Sequence, residues 1–171
     1  MIELLNQIDA AKNSQVYYLA LTGALTVPDI AGALGHESGR ASGERYRTWV
    51  TKHLKNWGYA EDQAEALWAF RCSLLHQNTG QLNTKSGSLR LYFTEPGPNQ
   101  TFTMHNGRIR FENEEFLMID VPMFCTEMTS SARTWLEKNR QNPVVRKNLE
   151  RSIKRHPLGM PPIVYGVPVI A

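Results

Sequence analysis

Apolar side chains recur at helical spacing along most of the chain, and this periodicity predicts a mainly α fold. Residues 2–13 carry Ile2, Leu5 and Ile8 three residues apart, as expected of an amphipathic helix. Between residues 16 and 25 almost every position is apolar, which predicts a helix buried on most sides. The fold should therefore begin with two packed helices.

The next segments carry signals for helix ends. Thr26, Pro28 and Asp29 have the residue types of a helix N-terminus, and they predict a new short helix that reaches about residue 34. Residues 35–43 are rich in Gly and Ser and predict a loop.

Two further helices should follow this loop. Ser42 is positioned to begin a helix that contains Tyr46 and Trp49 and ends at Gly58. Residues 61–76 predict the next helix.

The pattern changes to period two after residue 88. Leu89, Leu91 and Phe93 alternate with more polar positions, which predicts a strand. Asn106-Gly107 is a strong hairpin-turn signal because both residues tolerate positive φ. The sequence predicts a small antiparallel meander at about residues 89–112, an accessory element inserted before the last two helices.

Asp120 followed by Pro122 predicts the start of the penultimate helix, and Pro143 the start of a last, basic helix. One domain is therefore expected over residues 1–156, with the β insertion at 89–119. The Pro- and Gly-rich residues 157–171 should form an extended tail.

Composition places the chain among globular proteins. Its 171 residues are 42% hydrophobic and 20% charged, enough for one core without disulfides. Two cysteines without a CxxC pair favour a reducing compartment. The N-terminal residues do not resemble a signal peptide, and the longest apolar stretch is shorter than the roughly 20 residues of a membrane span. A cytoplasmic protein without membrane association is the expectation.

Positive charge is concentrated near the C-terminus. Residues 133–156 contain eight Lys or Arg and two Glu, a density that attracts phosphates. Such a run is also typical of a solvated helix face. The candidate nucleic-acid-binding residues are Arg146, Lys147, Arg151, Lys154 and Arg155.

The helix predicted at 61–76 carries a guanidinium where an apolar face is expected. At 100° per residue, Arg71 falls within the arc formed by Leu67, Phe70 and Leu74. A buried guanidinium is costly unless it meets an anion, so a carboxylate of this chain, a partner chain or a phosphate should approach it. His76, at the helix end, should be more exposed.

Arg71-Cys-Ser-Leu-Leu-His76 resembles the Arg-x4-His motif of the HEPN family. The surrounding segments 18–32, 43–49 and 71–77 resemble uncharacterised bacterial HEPN-like proteins, and residues 124–135 resemble them more loosely. The resemblance implies a HEPN-type helical bundle.

It also implies a function, namely metal-independent endoribonuclease activity without a cofactor. His76 would act as general acid and base, and Arg71 would hold the phosphate. Asp29, Glu44 and Ser73 would support these two residues. Two motifs would share a cleft in a homodimer, and cleavage of RNA would leave 2′,3′-cyclic phosphates. A toxin or phage-defence role, with an antitoxin or another protein partner, fits this activity.

The same residues allow a different interpretation. Arg71 would then be a core arginine paired with Asp29 or Glu44, and His76 would only stabilise the helix C-terminus. Cys72 stands where many HEPN nucleases have Asn, which favours this alternative. The protein would be a catalytically inactive HEPN-like module that binds a nucleotide, nucleic acid or protein. Cys72 as a nucleophile lacks a dedicated base, and the five histidines are too scattered to predict a metal site.

Overall fold

A computed structural model describes residues 1–77, 89–99 and 102–171. This part of the chain is mainly α, as predicted. Its α-helices are α1 (Ile2–Asn13), α2 (Tyr17–Leu34), α3 (Gly43–His53), α4 (Glu61–Gln77), α5 (Val121–Lys138) and α6 (Pro143–Glu150), with a 3₁₀ turn at Lys55–Trp57. None of the described helices is long and apolar enough to cross a lipid bilayer.

Helix α2 is continuous, so the new helix predicted at Thr26 is wrong. Pro28 lies inside α2, and the Thr26 hydroxyl donates to the Gly23 carbonyl at 2.7 Å instead of capping a helix start. Packing explains the difference. Helices α1, α3 and α5 all contact α2, and such tertiary burial outweighs the local preference of Pro to begin a helix.

The predicted starts of α3 and α5 are confirmed. The Ser42 side chain accepts from the Arg45 amide at the start of α3, and Asp120 accepts from the Met123 amide at the start of α5. Helix α3 ends at His53, earlier than expected, because the 3₁₀ turn intervenes before Gly58. Gly58 has φ +87°, a conformation that Gly adopts most readily.

The β region is a mixed sheet, so the prediction of an antiparallel meander is wrong. Strands β1 (Arg90–Thr94), β2 (Gly107–Phe111) and β3 (Glu114–Asp120) lie in the order β1-β3-β2. β1 is parallel to β3, with Leu91 opposite Leu117, whereas β2 is antiparallel to β3.

The hairpin turn lies at residues 112–113, not at Asn106-Gly107. Asn106 does have a positive φ of 54°. Its side chain, however, donates to the Trp57 carbonyl at 2.9 Å and accepts from Gln63 at 2.5 Å. Asn106 therefore ties the start of β2 to the helices.

The core lies between the helices and one face of the sheet. Phe93 of β1 stands 4.9 Å from Phe70 of α4 and 5.5 Å from Phe124 of α5, measured between ring centroids. The largest fully buried side chains include Tyr46, Phe124, Leu25, Leu67 and Leu117. This packing fixes α4 between α2, α3 and the sheet.

The C-terminal residues fold back on themselves, which corrects the extended tail predicted for 157–171. Strand β4 (Arg155–His156) pairs with β7 (Val169–Ile170), and β5 (Gly159–Met160) pairs with β6 (Val164–Tyr165). Gly159 and Gly166 have φ of +92° and +75°, which permits the chain reversals. The predicted domain boundary after residue 156 therefore separates two strands, β4 and β7, that are hydrogen-bonded to each other.

Candidate functional site

Arg71 of α4 forms an ion pair with Asp29 of α2. Nη2 of Arg71 lies 2.5 Å from Oδ2 of Asp29, and the two side chains are 20% and 9% exposed. The anion expected beside Arg71 is thus a carboxylate of this chain. Arg71 Nε has no hydrogen-bond partner within the described residues.

Tyr46 of α3 completes this polar cluster inside the bundle. Its ring is fully buried, and its hydroxyl has no hydrogen-bond partner within the described residues. Burial raises the pKa of Tyr46, and the charge of Asp29 raises it further. Burial also raises the pKa of Asp29, while the charge of Arg71 opposes that effect. Arg71 and Asp29 therefore interact in a poorly solvated environment, where an ion pair is strong and an unpaired charge is costly.

The other two predicted supporting residues differ in their surroundings. Glu44 is exposed on the first turn of α3, and no hydrogen bond or ion pair joins it to Arg71 in the described ranges. The expectation that Glu44 supports Arg71 is therefore not met. Ser73 is buried on α4. Cys72 is half-buried, and its Sγ lies 3.9 Å from Arg71 Nη1.

His76 lies in the last turn of α4 and is exposed, as predicted. Five residues of α-helix separate two side chains by about 140° around the axis and about 7.5 Å along it. Arg71 accordingly extends into the bundle, whereas His76 faces solvent. One chain does not present both groups on a single face of α4.

The basic residues near the C-terminus form two groups. Arg146 and Lys147 are exposed on α6. Arg151, Lys154 and Arg155 follow α6 and line a cavity. In the part of the chain that the structure covers, none of the five takes part in an ion pair.

A second buried polar cluster was missed by the sequence analysis. Glu127 of α5 accepts hydrogen bonds from His105 Nε2 at 3.0 Å and from the Tyr59 hydroxyl at 3.1 Å. His105 Nδ1 accepts from the Asp120 amide at 3.2 Å, which fixes the proton on Nε2 when the ring is neutral. The available signal was a carboxylate at position 127, next to apolar positions of α5.

This second cluster has a structural role. Its carboxylate and imidazole nitrogens have hydrogen-bond partners, and they join α5 to the start of β2 and to the segment after the 3₁₀ turn. Such satisfied networks fix the relative positions of the elements that they connect.

Among residues 1–77, 89–99 and 102–171, no group of three or more His, Cys, Asp or Glu side chains is arranged to hold a metal ion. Comparison of the chain with protein-family models, with curated proteins and with solved structures finds no match.

Proposed function

We propose that the protein is a metal-independent endoribonuclease of HEPN type, with Arg71 and His76 as its catalytic residues. The observation that carries the proposal is the position of the motif. Both residues of the motif lie in the second half of α4, where the Arg71 side chain keeps 20% of its surface exposed and His76 is exposed at the helix end. RNA would reach His76 without any rearrangement of the core.

The imidazole of His76 would supply the proton transfers. As a neutral base it would remove the proton from a ribose 2′-hydroxyl, whose oxygen then attacks the adjacent phosphorus. The bond from phosphorus to the 5′-oxygen breaks, and a protonated imidazole donates a proton to that oxygen. The products are a 2′,3′-cyclic phosphate and a free 5′-hydroxyl.

Arg71 would stabilise the negative charge that develops on the phosphate. The Arg71 side chain is 20% exposed beside its contact with Asp29, and in the proposed site a guanidinium nitrogen that is not paired with Asp29 would bind the phosphate. Asp29 would then orient the guanidinium.

A homodimer would complete the site. Each chain supplies one imidazole in the motif, and in-line transfer uses both a base and an acid. Because Arg71 and His76 leave α4 in different directions, a two-fold axis beside the end of α4 would bring groups of two chains to one phosphate.

The alternative is a catalytically inactive module that binds a nucleotide, nucleic acid or protein. The Arg71–Asp29 ion pair favours it, since a core arginine paired with Asp29 needs no substrate. Cys72 beside Arg71 favours it as well.

Cleavage of labelled single-stranded RNA and transfer RNA in EDTA distinguishes the two functions. We expect His76→Ala and Arg71→Ala each to lower the rate on the order of 10²- to 10⁴-fold. His156→Ala, which removes an imidazole from the tail, should retain the wild-type rate. Full activity of the His76 variant, or a requirement for Mg²⁺, would refute the proposed chemistry. Binding of RNA without cleavage by the wild type would support the alternative.

A further inference from the structure

A cavity of about 1000 Å³ lies between the first two helices and the segment that follows α6. Leu4 of α1 and Ile30 and Leu34 of α2 form its helical wall. Ile153 and Ile170 form the opposite wall. The volume is at the upper end of the range found for small-molecule sites.

The two isoleucines of the outer wall are largely exposed. Ile153 is 74% exposed and Ile170 is 75% exposed. Apolar surface of this kind, grouped around a concavity, is typical of a site that a ligand covers.

Cations line the same wall. Arg151, Lys154 and Arg155 border the cavity, and no ion pair engages them among the described residues. Glu3 is the acidic residue of the lining, and it accepts a hydrogen bond from Gln7 at 3.2 Å. The cavity thus combines apolar walls with an excess of positive charge on one side.

Hydrogen bonds hold these walls in place without a ligand. The Asn148 side chain donates to the carbonyls of Leu34 and His36 at 3.1 and 2.8 Å, which fixes α6 against the end of α2. Lys154 and Ala171 exchange two backbone hydrogen bonds of 2.7 and 3.0 Å, which fix Ile170 beside the basic segment. A protein whose cavity is already formed loses less conformational entropy on ligand binding than one whose walls must first be ordered.

We propose that this cavity binds a small amphipathic anion, with an apolar chain or ring between the isoleucines and the helices and a carboxylate or phosphate at the cations. The large apolar share of the walls favours such a ligand over a polyanion, which would leave Ile153 and Ile170 uncovered. The site shares no residue with Arg71 and His76, and it stands whether or not the protein cleaves RNA.

Calorimetric titration of the full chain tests this proposal with four probes of equal chain length: decanoate, decyl phosphate, decanol and decylammonium. We expect a stoichiometry of one ligand per chain. At least one of the two anions should bind at least tenfold more tightly than decanol, and decylammonium should bind most weakly of the four probes. The better of the two anions identifies the head group.

Two variants locate the binding. Replacing Arg151, Lys154 and Arg155 together by Gln should weaken anion binding at least tenfold, because the charges face the cavity. The matched control replaces Arg146 and Lys147 by Gln on the exposed face of α6 and should leave affinity unchanged. Ile153→Ser should weaken binding of the anions and of decanol alike. All these side chains are exposed, so circular dichroism should show an unaltered fold.

Several results would overturn the proposal. Equal affinities for decanol and decanoate, or anion binding that the triple variant retains, would remove the role of the cations. Absence of saturable binding up to millimolar concentration would remove the site. If no decyl probe binds and the triple variant loses affinity only for a single-stranded RNA, the cations serve nucleic acid instead.

Discussion

His105 donates a hydrogen bond to Glu127 over 3.0 Å, and both side chains are less than 10% exposed. The same carboxylate accepts from Tyr59, whose pKa is raised by burial and by the charge of Glu127. One acidic residue of α5 therefore satisfies two donors that would otherwise be buried without partners.

Removing this carboxylate should destabilise the fold. Glu127→Ala leaves both donors unpaired, and we expect it to lower the free energy of unfolding by about 3 kcal/mol. Glu127→Gln keeps the shape and one acceptor oxygen, so its loss should be smaller. Glu137→Ala, at an exposed position of α5, is the control. Urea denaturation measures all three, and equal stabilities of the Ala and Gln variants would contradict this account.

Asn148 should stabilise the fold because its side chain is a hydrogen-bond donor, and not only because of its shape. Its amide donates to the carbonyls at the end of α2. Asn148→Ala should cost about 2 kcal/mol because it leaves buried acceptors unpaired. Asn148→Asp should cost more, although it is closer in shape, because it places acceptors and negative charge against carbonyl oxygens. Thermal unfolding distinguishes the two variants, and a more stable Asp variant would refute the interpretation.

The Asp29–Arg71 pair predicts a dependence of stability on pH. Burial raises the folded-state pKa of Asp29 above its ordinary value of 3.8. A carboxyl with a raised pKa binds its proton more tightly in the folded chain. Its contribution is therefore fully present below the unfolded pKa and is lost as pH rises through the folded pKa.

Asp29→Asn lacks this titration. As pH rises from below 4 towards neutrality, the wild type should therefore lose stability relative to the Asn variant. Urea denaturation of both proteins at several pH values measures the difference, with exposed Glu150→Gln as control. A difference between wild type and the Asn variant that is constant with pH would show that Asp29 does not titrate as described.

Asn106 should behave as a bridge and not as a turn residue. Asn106→Ala removes hydrogen bonds to the Trp57 carbonyl and to Gln63, and we expect a loss of about 2 kcal/mol. Asn113→Ala, at the observed hairpin turn, should change stability by less than about 0.5 kcal/mol because position 113 is exposed. The opposite order of the two losses, measured by urea denaturation, would favour the turn originally predicted.

Local chemistry predicted the helix starts at Ser42 and Asp120 because those caps depend on neighbouring backbone amides alone. Local chemistry gave a wrong helix start at Thr26 and Pro28, because packing of α2 against the surrounding helices decides the conformation there. The sheet could not be predicted for a related reason. The parallel register of β1 and β3 joins residues 26 apart, and no local signal specifies such a pairing.

The candidate site was predictable in part. An arginine on an apolar face required an anion, and the structure supplies Asp29. Periodicity alone could not choose between Asp29 and Glu44, since the choice depends on how α2 and α3 rotate against α4. His105 and Glu127 lie 22 residues apart in the sequence and in different kinds of element. The sequence therefore gave no reason to pair them.

The burial of α2 against α5 has a consequence for synthesis of the chain. Helix α2 ends at Leu34, but α5 ends only at Lys138. The ribosome must therefore add roughly a hundred residues after α2 before all of α5 is available to pack against it. At typical elongation rates this delay is about 5 to 20 s. During that time the side of α2 that packs on α5 lacks its final partner, so apolar surface of the nascent first half stays exposed to water until α5 is complete.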